Sequence, residues 1–318
     1  MKNISVKKIA QLTGHNGGVF TLVEGSEDTH FLSGAGDGWI VEWDLTNPKD
    51  GRLIAQAEDT QVNGRASVFS LLSFSDFEDK KNRVIIAGNM NGGLHWIFPH
   101  DTTQNKDILP HKKGVFDIQI IDNELFTLGG QGVLTKWSIE HQRPVESLQL
   151  SSKSLRSQAY FSPKKELAIA ASDGNIYILN PTDFSIKKTI EQAHDNSVFV
   201  VKFSPDGKYL WSGGRDAHLK IWDVENDFKN VFSAPAHWFT INAIVFSPDG
   251  KFAATGSRDK TIKIWDTETF QLLKVIDTAR LGGHINSVNT LLWSKYNNWL
   301  ISGSDDRSII IWSIDQLL

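Results

Sequence analysis

The chain has no cysteine among its 318 residues. This absence excludes disulfide bonds, thiolate nucleophiles, cysteine-ligated zinc and iron–sulfur clusters, so packing and hydrogen bonds must hold the fold. Long apolar runs are absent as well. None approaches the ~20 residues of a membrane span, and the segment 1–15 lacks the apolar core of a signal peptide. These absences predict a cytoplasmic protein that does not bind a membrane.

Neither sign of charge is in excess. Lys and Arg number 33, Asp and Glu number 37, and the net charge is -4. A chain with this balance has no long-range attraction for phosphate backbones, which argues against nucleic acid as a partner. Hydrophobic residues make up 40% and charged residues 22%, proportions that are typical of a globular chain with a substantial core.

What the chain does contain is an internal repeat, clearest near its C-terminus. Three similar segments, GGRDAHLKIWD, GSRDKTIKIWD and GSDDRSIIIWS, begin at Gly213, Gly256 and Gly303. Their tryptophans are roughly 43 to 47 residues apart, about the length of a four-stranded propeller blade. A histidine precedes each segment, and Pro-Asp-Gly turns at 205–207 and 248–250 separate β-rich runs, as in hairpins. The period predicts a repeat architecture for the chain.

The histidine, the Ser/Thr-Gly-x-x-Asp turn and the closing tryptophan resemble WD40 repeats. This resemblance implies an all-β fold, a seven-bladed β-propeller with four antiparallel strands per blade, in which residues 1–318 form one domain. Strand 4–12 is expected to complete blade 7 and close the ring, which leaves only short, protected sheet edges. The seven predicted repeats are 12–45, 62–98, 109–139, 150–180, 192–224, 235–267 and 282–314.

Three units depart from the pattern. Blade 3 has Gln131 where the turn aspartate belongs, and blade 4 has Ser152 at the histidine position and Leu179 at the tryptophan position. Blade 2 has Asn91 at the turn and Ile97 in place of tryptophan. We therefore expect blades 2, 3 and 4 to be the softer arc of the ring.

Four histidine, aspartate and hydroxyl sets contain the residue types of a catalytic triad. Their repetition argues against catalysis, because an active site is normally one constellation in one pocket. The resemblance implies that each set, with its tryptophan, is a structural hydrogen-bonded chain. No metal-ligand spacing and no phosphate-binding loop is present, so we expect no metal and no cofactor. The predicted sets are His15, Ser33, Asp37 and Trp43; His194, Ser212, Asp216 and Trp222; His237, Thr255, Asp259 and Trp265; and His284, Ser302, Asp306 and Trp312.

In the family that the chain resembles, partners commonly bind the top face, the end of the ring that carries the histidine loops and turn aspartates. Mapping the family's binding positions onto this chain predicts an apolar arc followed by a polar and basic arc. Blade 4 is expected to contribute Leu155 and Ser157. The alternative that each phenylalanine packs between blades stays open. The predicted partner-binding residues are Phe20, Phe69, Met90, Phe116, Phe199, Arg215, Arg258, Trp238, Asn242 and Asn289.

These features predict a non-catalytic scaffold that binds a protein or peptide through its top face. We expect a monomeric ring that is a subunit or adaptor in a hetero-complex, with the 45–68 loop as a further recognition element. One alternative is an enzyme or small-molecule binder that uses the central channel, which needs a unique cluster of ionisable groups outside the repeat. A reader of modified lysine or nucleic acid is a third possibility, but no basic face is evident and the aromatics are phenylalanines rather than Trp or Tyr.

Overall fold

The computed structural model describes residues 3–59, 64–75 and 83–317, which form seven four-stranded antiparallel sheets arranged as the blades of a ring. The predicted fold class is confirmed. Parts of the predicted repeat 62–98 lie outside the described residues. The inner strand of each blade borders the channel, and three further strands follow it outward. Among the described residues, no helix is long and apolar enough to cross a membrane.

The strands of blades 1 to 3 are, from the channel outward, Val19–Glu24, His30–Ala35, Trp39–Asp44 and Arg52–Gln56; Val68–Ser75, Arg83–Asn89, Leu94–Ile97 and Lys106–Ile108; and Val115–Ile121, Glu124–Gly129, Val133–Ser138 and Arg143–Gln149. Those of blades 4 and 5 are Leu155–Phe161, Glu166–Ala171, Ile176–Leu179 and Ile186–Ile190; and Val198–Phe203, Tyr209–Gly214, His218–Asp223 and Lys229–Pro235. Those of blades 6 and 7 are Ile241–Phe246, Phe252–Ser257, Ile262–Asp266 and Leu272–Ile276; and Val288–Trp293, Leu300–Ser304, Ile309–Leu317 and Asn3–Leu12.

Little other regular structure connects these strands. Within the predicted 45–68 loop, the chain forms the outer strand of blade 1 and then pairs Glu58–Asp59 with Gly64–Arg65, while residues 60–63 lie outside the described residues. The short helices are Thr102–Gln104, Ser162–Lys164, Thr278–Leu281 and Tyr296–Asn298.

The ring is closed by its first strand. Asn3–Leu12 pairs antiparallel with Ile309–Leu317, the third strand of blade 7, as predicted. Ile4 and Val6 are buried in the apolar cluster between blades 6 and 7, and Leu12 is buried in the cluster between blades 7 and 1. The first strand therefore contributes backbone hydrogen bonds to one blade and apolar packing to two interfaces.

Apolar side chains fill the space between adjacent blades. The described residues contain seven such clusters, and each joins neighbouring blades around the ring. Ile97 and Leu179, which occupy tryptophan positions in blades 2 and 4, are buried within these clusters. Because burial of a large aliphatic side chain contributes about 1.5–3 kcal/mol, these substitutions keep the packing although they lose the indole donor.

A bulge recurs in every inner strand. The pairing with the second strand skips one residue directly after a fully buried Val, Leu or Ile. A bulge re-aims the side chain of the extra residue, and here all seven extra residues border the channel. They are Phe20, Phe69, Phe116, Arg156, Phe199, Asn242 and Asn289, which we call the mouth ring.

Candidate functional site: the channel mouth and top face

In blades 1, 5, 6 and 7 the residues of each predicted set form a hydrogen-bonded chain. The histidine Nε2 lies 2.7–2.9 Å from the Ser or Thr hydroxyl, and the Trp indole N–H donates to that hydroxyl at 2.8–3.0 Å. The histidine Nδ1 lies 2.9–3.2 Å from the aspartate. A neutral imidazole with its proton on Nδ1 satisfies every member.

The aspartate of each set also anchors the top-face loops. Asp259 accepts hydrogen bonds from the backbone N–H groups of Trp238 and Thr261, at 3.0 Å each. Although burial alone would raise the pKa of this carboxyl, the hydrogen bond and charge of His237, the Thr261 hydroxyl and the Trp238 backbone N–H hold its pKa well below the usual value. The pKa of Asp306 is lowered against burial in the same way. The loop after each histidine is therefore held in place by a buried anion.

Blade 3 keeps the hydrogen-bonded set of side chains, but with an amide in place of the carboxylate. Gln131 Nε2 lies 2.9 Å from His111 Nδ1, His111 Nε2 lies 2.9 Å from Thr127 Oγ1, and the Trp137 indole donates to the same hydroxyl at 3.0 Å. Burial lowers the pKa of His111 to about 4. The exchange of Asp for Gln thus keeps the connectivity and removes the charge.

Blade 4 departs further from the pattern. Ser151, and not Ser152, occupies the histidine position, and its hydroxyl donates to Asp173 Oδ2 at 2.5 Å. The sequence alignment was shifted by one residue because this blade has no histidine to set its register. Tyr177 supplies a second hydroxyl donor to Asp173, at 2.7 Å.

Blade 2 has a different buried set that the repeat pattern could not reveal. Asn89 Nδ2 lies 3.0 Å from His95 Nε2, and His95 Nδ1 lies 2.6 Å from Asp107 Oδ1. The indole of the buried Trp96 has no hydrogen-bond partner among the described residues.

The mouth ring brings the predicted phenylalanines together. Phe20 and Phe69 stack with ring centroids 4.5 Å apart and an interplanar angle of 8°. Phe69 meets Phe116 edge to face, with centroids 6.1 Å apart. The four rings are half-buried and border the channel, so they line the mouth as well as packing against their neighbours.

Blade 4 places Arg156 in the mouth ring. Leu155 is fully buried between blades and Ser157 lies lower in the channel wall, because the bulge falls on the residue between them. The guanidinium lies 4.4 Å from the ring centroid of Phe116 and 4.9 Å from that of Phe199. The expectation that Leu155 and Ser157 occupy this surface was therefore wrong in register, and an arginine links the aromatic residues of blades 3 and 5.

The two asparagines of the mouth ring bridge adjacent blades. Asn242 Nδ2 donates to the Val288 carbonyl at 2.8 Å. Asn289 Nδ2 donates to the Val19 carbonyl at 3.1 Å and to Asp305 Oδ1 at 2.7 Å. Their amide donors are therefore used within the ring and tie blade 6 to blade 7 and blade 7 to blade 1.

The remaining predicted residues lie on the top face and are exposed. Trp238 is 86% exposed and Met90 57%, and Arg215 and Arg258 are exposed beside their turn aspartates. Two exposed apolar residues of these loops were missed in the sequence. Phe239 follows Trp238 in the loop after His237, and Ile285 follows His284 in the equivalent loop of blade 7. Their position after a loop histidine was the available signal.

The channel bordered by the mouth ring holds a cavity of about 470 Å³, whose wall includes a polar arc from blades 3 to 5. Asp117 accepts backbone hydrogen bonds from Gln158 and Ile118 at 2.7 and 2.8 Å, and burial raises the pKa of its carboxyl. Lys202 also lines the cavity. The side-chain oxygens of Gln119 and Gln158 are buried without a partner among the described residues. These polar residues interrupt otherwise apolar inner strands, which was a signal in the sequence that we did not use.

No metal site accompanies this arc. Across the ranges that the structure describes, no group of three or more His, Asp or Glu side chains is placed to hold a metal ion.

The family model described as "WD domain, G-beta repeat" matches residues 6–44, 185–223, 228–266 and 275–313. These segments contain every member of the complete sets of blades 1, 5, 6 and 7. The matches therefore fall on the blades in which the turn aspartate bonds the loop histidine.

Several curated proteins are similar over part of their length. U3 small nucleolar RNA-associated protein 12 of Saccharomyces cerevisiae is 28% identical over 178 residues, which cover 50% of this chain and 19% of that protein. The 26S proteasome regulatory subunit RPN14 of the same yeast is 32% identical over 62 residues, 20% of this chain and 15% of that protein. Denticleless protein homolog B of Xenopus laevis is 22% identical over 262 residues, 69% of this chain and 36% of that protein. Each alignment spans well under half of the relative.

Among solved structures, the WD40 beta propeller domain of Doa1 superimposes with a TM-score of 0.80. The alignment covers 97% of both chains at 19% sequence identity. At this identity the likeness establishes the fold alone.

Proposed function

This chain belongs to the WD40-repeat family, and from that premise we propose that it is a non-catalytic scaffold that binds a protein or peptide through its top face. The similarity to a small nucleolar RNA-associated protein and a proteasome regulatory subunit supports a role as a subunit or adaptor of a hetero-complex. A cytoplasmic location is part of the same proposal, and the localisation of a fluorescent fusion would test it against a nuclear one.

The observation that carries this proposal is the exposure of Trp238. A side chain of this size that is 86% exposed is costly to leave in water unless a partner covers it. Its backbone N–H is bonded to Asp259, so the loop that presents it is already ordered. Ordered aromatic residues beside arginines, such as Arg258, are typical of interface hot spots, because little entropy is lost on binding.

Affinity capture from the source cell tests the proposal. We would compare the wild type with the Phe69→Ser/Phe116→Ser double variant and with Trp238→Ser, after thermal unfolding shows that each folds. Leu53→Ser/Val145→Ser is the control, since it also replaces exposed apolar side chains but on outer strands.

We expect a partner that the wild type and the control retain and that the top-face variants lose. Equal recovery by all four proteins would show that the top face is not the binding surface and would move the site to the blade edges, the opposite end of the ring or the 45–68 loop.

The polar arc of the channel favours one second candidate, the binding of a small polar molecule in the cavity. Two unpaired buried oxygens, on Gln119 and Gln158, offer acceptors to a ligand with N–H or O–H groups. A thermal-shift screen of metabolite mixtures tests it with the Gln119→Leu/Gln158→Leu variant as the control. Stabilisation of the wild type alone would favour the channel site, whereas equal shifts in the two proteins would contradict it.

A further inference from the structure

We propose that Arg156 binds the carboxylate of an acidic side chain on a peptide partner, and that the stacked Phe20–Phe69 pair takes an apolar side chain near it. This inference rests on the proposed top-face function and specifies the chemistry of the partner. It is carried by the geometry of the guanidinium, by its lack of an acidic partner and by the composition of the mouth ring.

The guanidinium of Arg156 is fixed in place by three contacts. It lies between the rings of Phe116 and Phe199, and its Nε donates to Ser172 Oγ at 2.9 Å. Stacking on two rings holds the plane of the group, and the Nε hydrogen bond fixes its rotation within that plane. The two terminal Nη groups form no hydrogen bond within the described residues. They form the pair of parallel donors that a carboxylate accepts end-on.

The charge of Arg156 is not neutralised by the protein. Among the described residues no carboxylate forms an ion pair with it, and burial lowers its pKa without an opposing acidic neighbour. Asp305 is an acidic group near the mouth, but it lies three blades away in blade 7 and accepts a hydrogen bond from Asn289. A half-buried cation without a counter-charge is unfavourable, and an incoming carboxylate would relieve this cost.

The composition of the mouth ring favours a carboxylate over a phosphate. The ring contains one cation, four phenylalanines and two asparagines whose donors are already bonded to neighbouring blades. A single guanidinium matches the single charge of Asp or Glu, whereas a phosphate dianion calls for additional cationic donors. Lys202 lines the cavity below, where Asp117 is its acidic neighbour.

Charges on the neighbouring blades suit the same partner. Arg215 and Arg258 are exposed on the top face of blades 5 and 6. Exposed rim charges act mainly on the rate of encounter, so they would attract an acidic peptide without fixing its position. The position would be set by Arg156 and by the apolar surface of Phe20 and Phe69, which lies next to Phe116 in the ring.

Peptide phage display on the purified chain tests this proposal. A library of random dodecapeptides would be selected separately on the wild type, on Arg156→Met and on Arg143→Met, and the selected pools sequenced. Methionine can remain between the two phenylalanine rings, so Arg156→Met removes the charge and keeps the packing. Arg143→Met is the matched control, because it removes an exposed arginine from an outer strand, and melting temperatures verify that all three proteins fold.

We expect the wild type and Arg143→Met to enrich peptides with Asp or Glu beside an apolar residue, and Arg156→Met to lose the acidic preference. In fluorescence anisotropy, replacing that Glu by Gln in the best peptide should raise Kd about tenfold for the wild type and leave Kd for Arg156→Met unchanged. Ser172→Ala, which frees the guanidinium without removing it, should weaken binding by a smaller factor.

Three results would overturn the inference. They are a wild-type pool without acidic enrichment, an acidic preference that survives in Arg156→Met, and tighter binding of a phosphoserine peptide than of the Glu peptide. If the wild type instead selects non-acidic peptides whose binding is lost in Phe69→Ser/Phe116→Ser, the scaffold function stands and only the carboxylate assignment fails. A wild type that enriches no peptide contradicts the carboxylate site, and partner capture then decides the scaffold function separately.

Discussion

The blades form two groups, blades 1, 5, 6 and 7 and blades 2, 3 and 4. The groups differ in the residues that they place at the histidine, hydroxyl, turn-aspartate and tryptophan positions of the repeat. The first group repeats one Asp–His–Ser/Thr–Trp chain with nearly constant distances. The second group replaces its members and contributes most of the residues without equivalents elsewhere, including Arg156 at the mouth and Asp117, Gln119 and Gln158 in the channel. Repetition builds the ring, and the departures from it supply the distinctive chemistry of the site.

The largest effect that we expect is the loss of one buried aspartate. Asp259→Ala should lower the free energy of unfolding by about 3–5 kcal/mol, because it leaves His237 and two backbone N–H groups without their acceptor. Gln131→Ala, the matched change in blade 3, should cost only about 1–2 kcal/mol, since no charge is involved. Urea denaturation measures both, and equal losses would remove the energetic distinction between the two groups of blades.

The second prediction concerns the pH dependence of stability, which we expect to differ between His111 of blade 3 and Asp306 of blade 7. Burial lowers the pKa of His111 to about 4, whereas the unfolded chain protonates this histidine near its ordinary value of 6.5. The unfolded state therefore binds more protons between these values, and stability should fall by about 3 kcal/mol as the pH decreases from 6.5 to 4. Asp306 has a lowered pKa, so its contribution persists above pH 3.8 and is lost only below it.

Denaturation of the wild type and of His111→Gln between pH 7 and pH 4 measures this difference. The variant should show a smaller fall in stability over that interval, because it lacks the group that titrates. An identical pH dependence in the two proteins would mean that His111 is not held neutral in blade 3.

A smaller effect concerns the junction of the two groups of blades. Glu42 in blade 1 is buried and bonded to Arg83 of blade 2 and to the exposed Arg52. Arg83→Met should cost about 2 kcal/mol, since Glu42 keeps one partner, whereas Arg52→Met should cost less than about 1 kcal/mol. Equal effects in thermal unfolding would show that the buried Arg83–Glu42 pair stabilises the fold no more than the exposed Arg52–Glu42 pair.

The smallest expected difference is in local opening. Blades 2 and 4 lack the His–hydroxyl–Trp chain, whereas blade 3 keeps it through Gln131. Backbone amides of blades 2 and 4 should therefore exchange with solvent about tenfold faster than those of blades 5 and 6, with blade 3 closer to the latter. Mass spectrometry of deuterium uptake measures this, and uniform protection around the ring would contradict it.

The fold was predictable from local patterns. The spacing of histidine, turn aspartate and tryptophan recurs along one chain, and each of these residues acts within its own blade, so a repeat can be identified without knowing its neighbours. The resemblance to WD40 repeats also implied that strand 4–12 completes blade 7, which the pairing of Asn3–Leu12 with Ile309–Leu317 confirms. It assigned Ser152 incorrectly because blade 4 has neither the loop histidine nor the closing tryptophan that set the register in other blades.

From the sequence, the repeat period and the resemblance to WD40 repeats predicted the number of blades, the closure of the ring and the end of the ring at which the phenylalanines lie, because the repeated residues act over short stretches of the chain. The sandwich of Arg156 between Phe116 and Phe199 was decided only by the tertiary structure. These residues lie about 40 residues apart along the chain, one blade length, and they meet because a bulge in each inner strand turns one side chain toward a shared axis. The polar arc of the channel arises in the same way, since its members come from different blades and converge only when the ring closes.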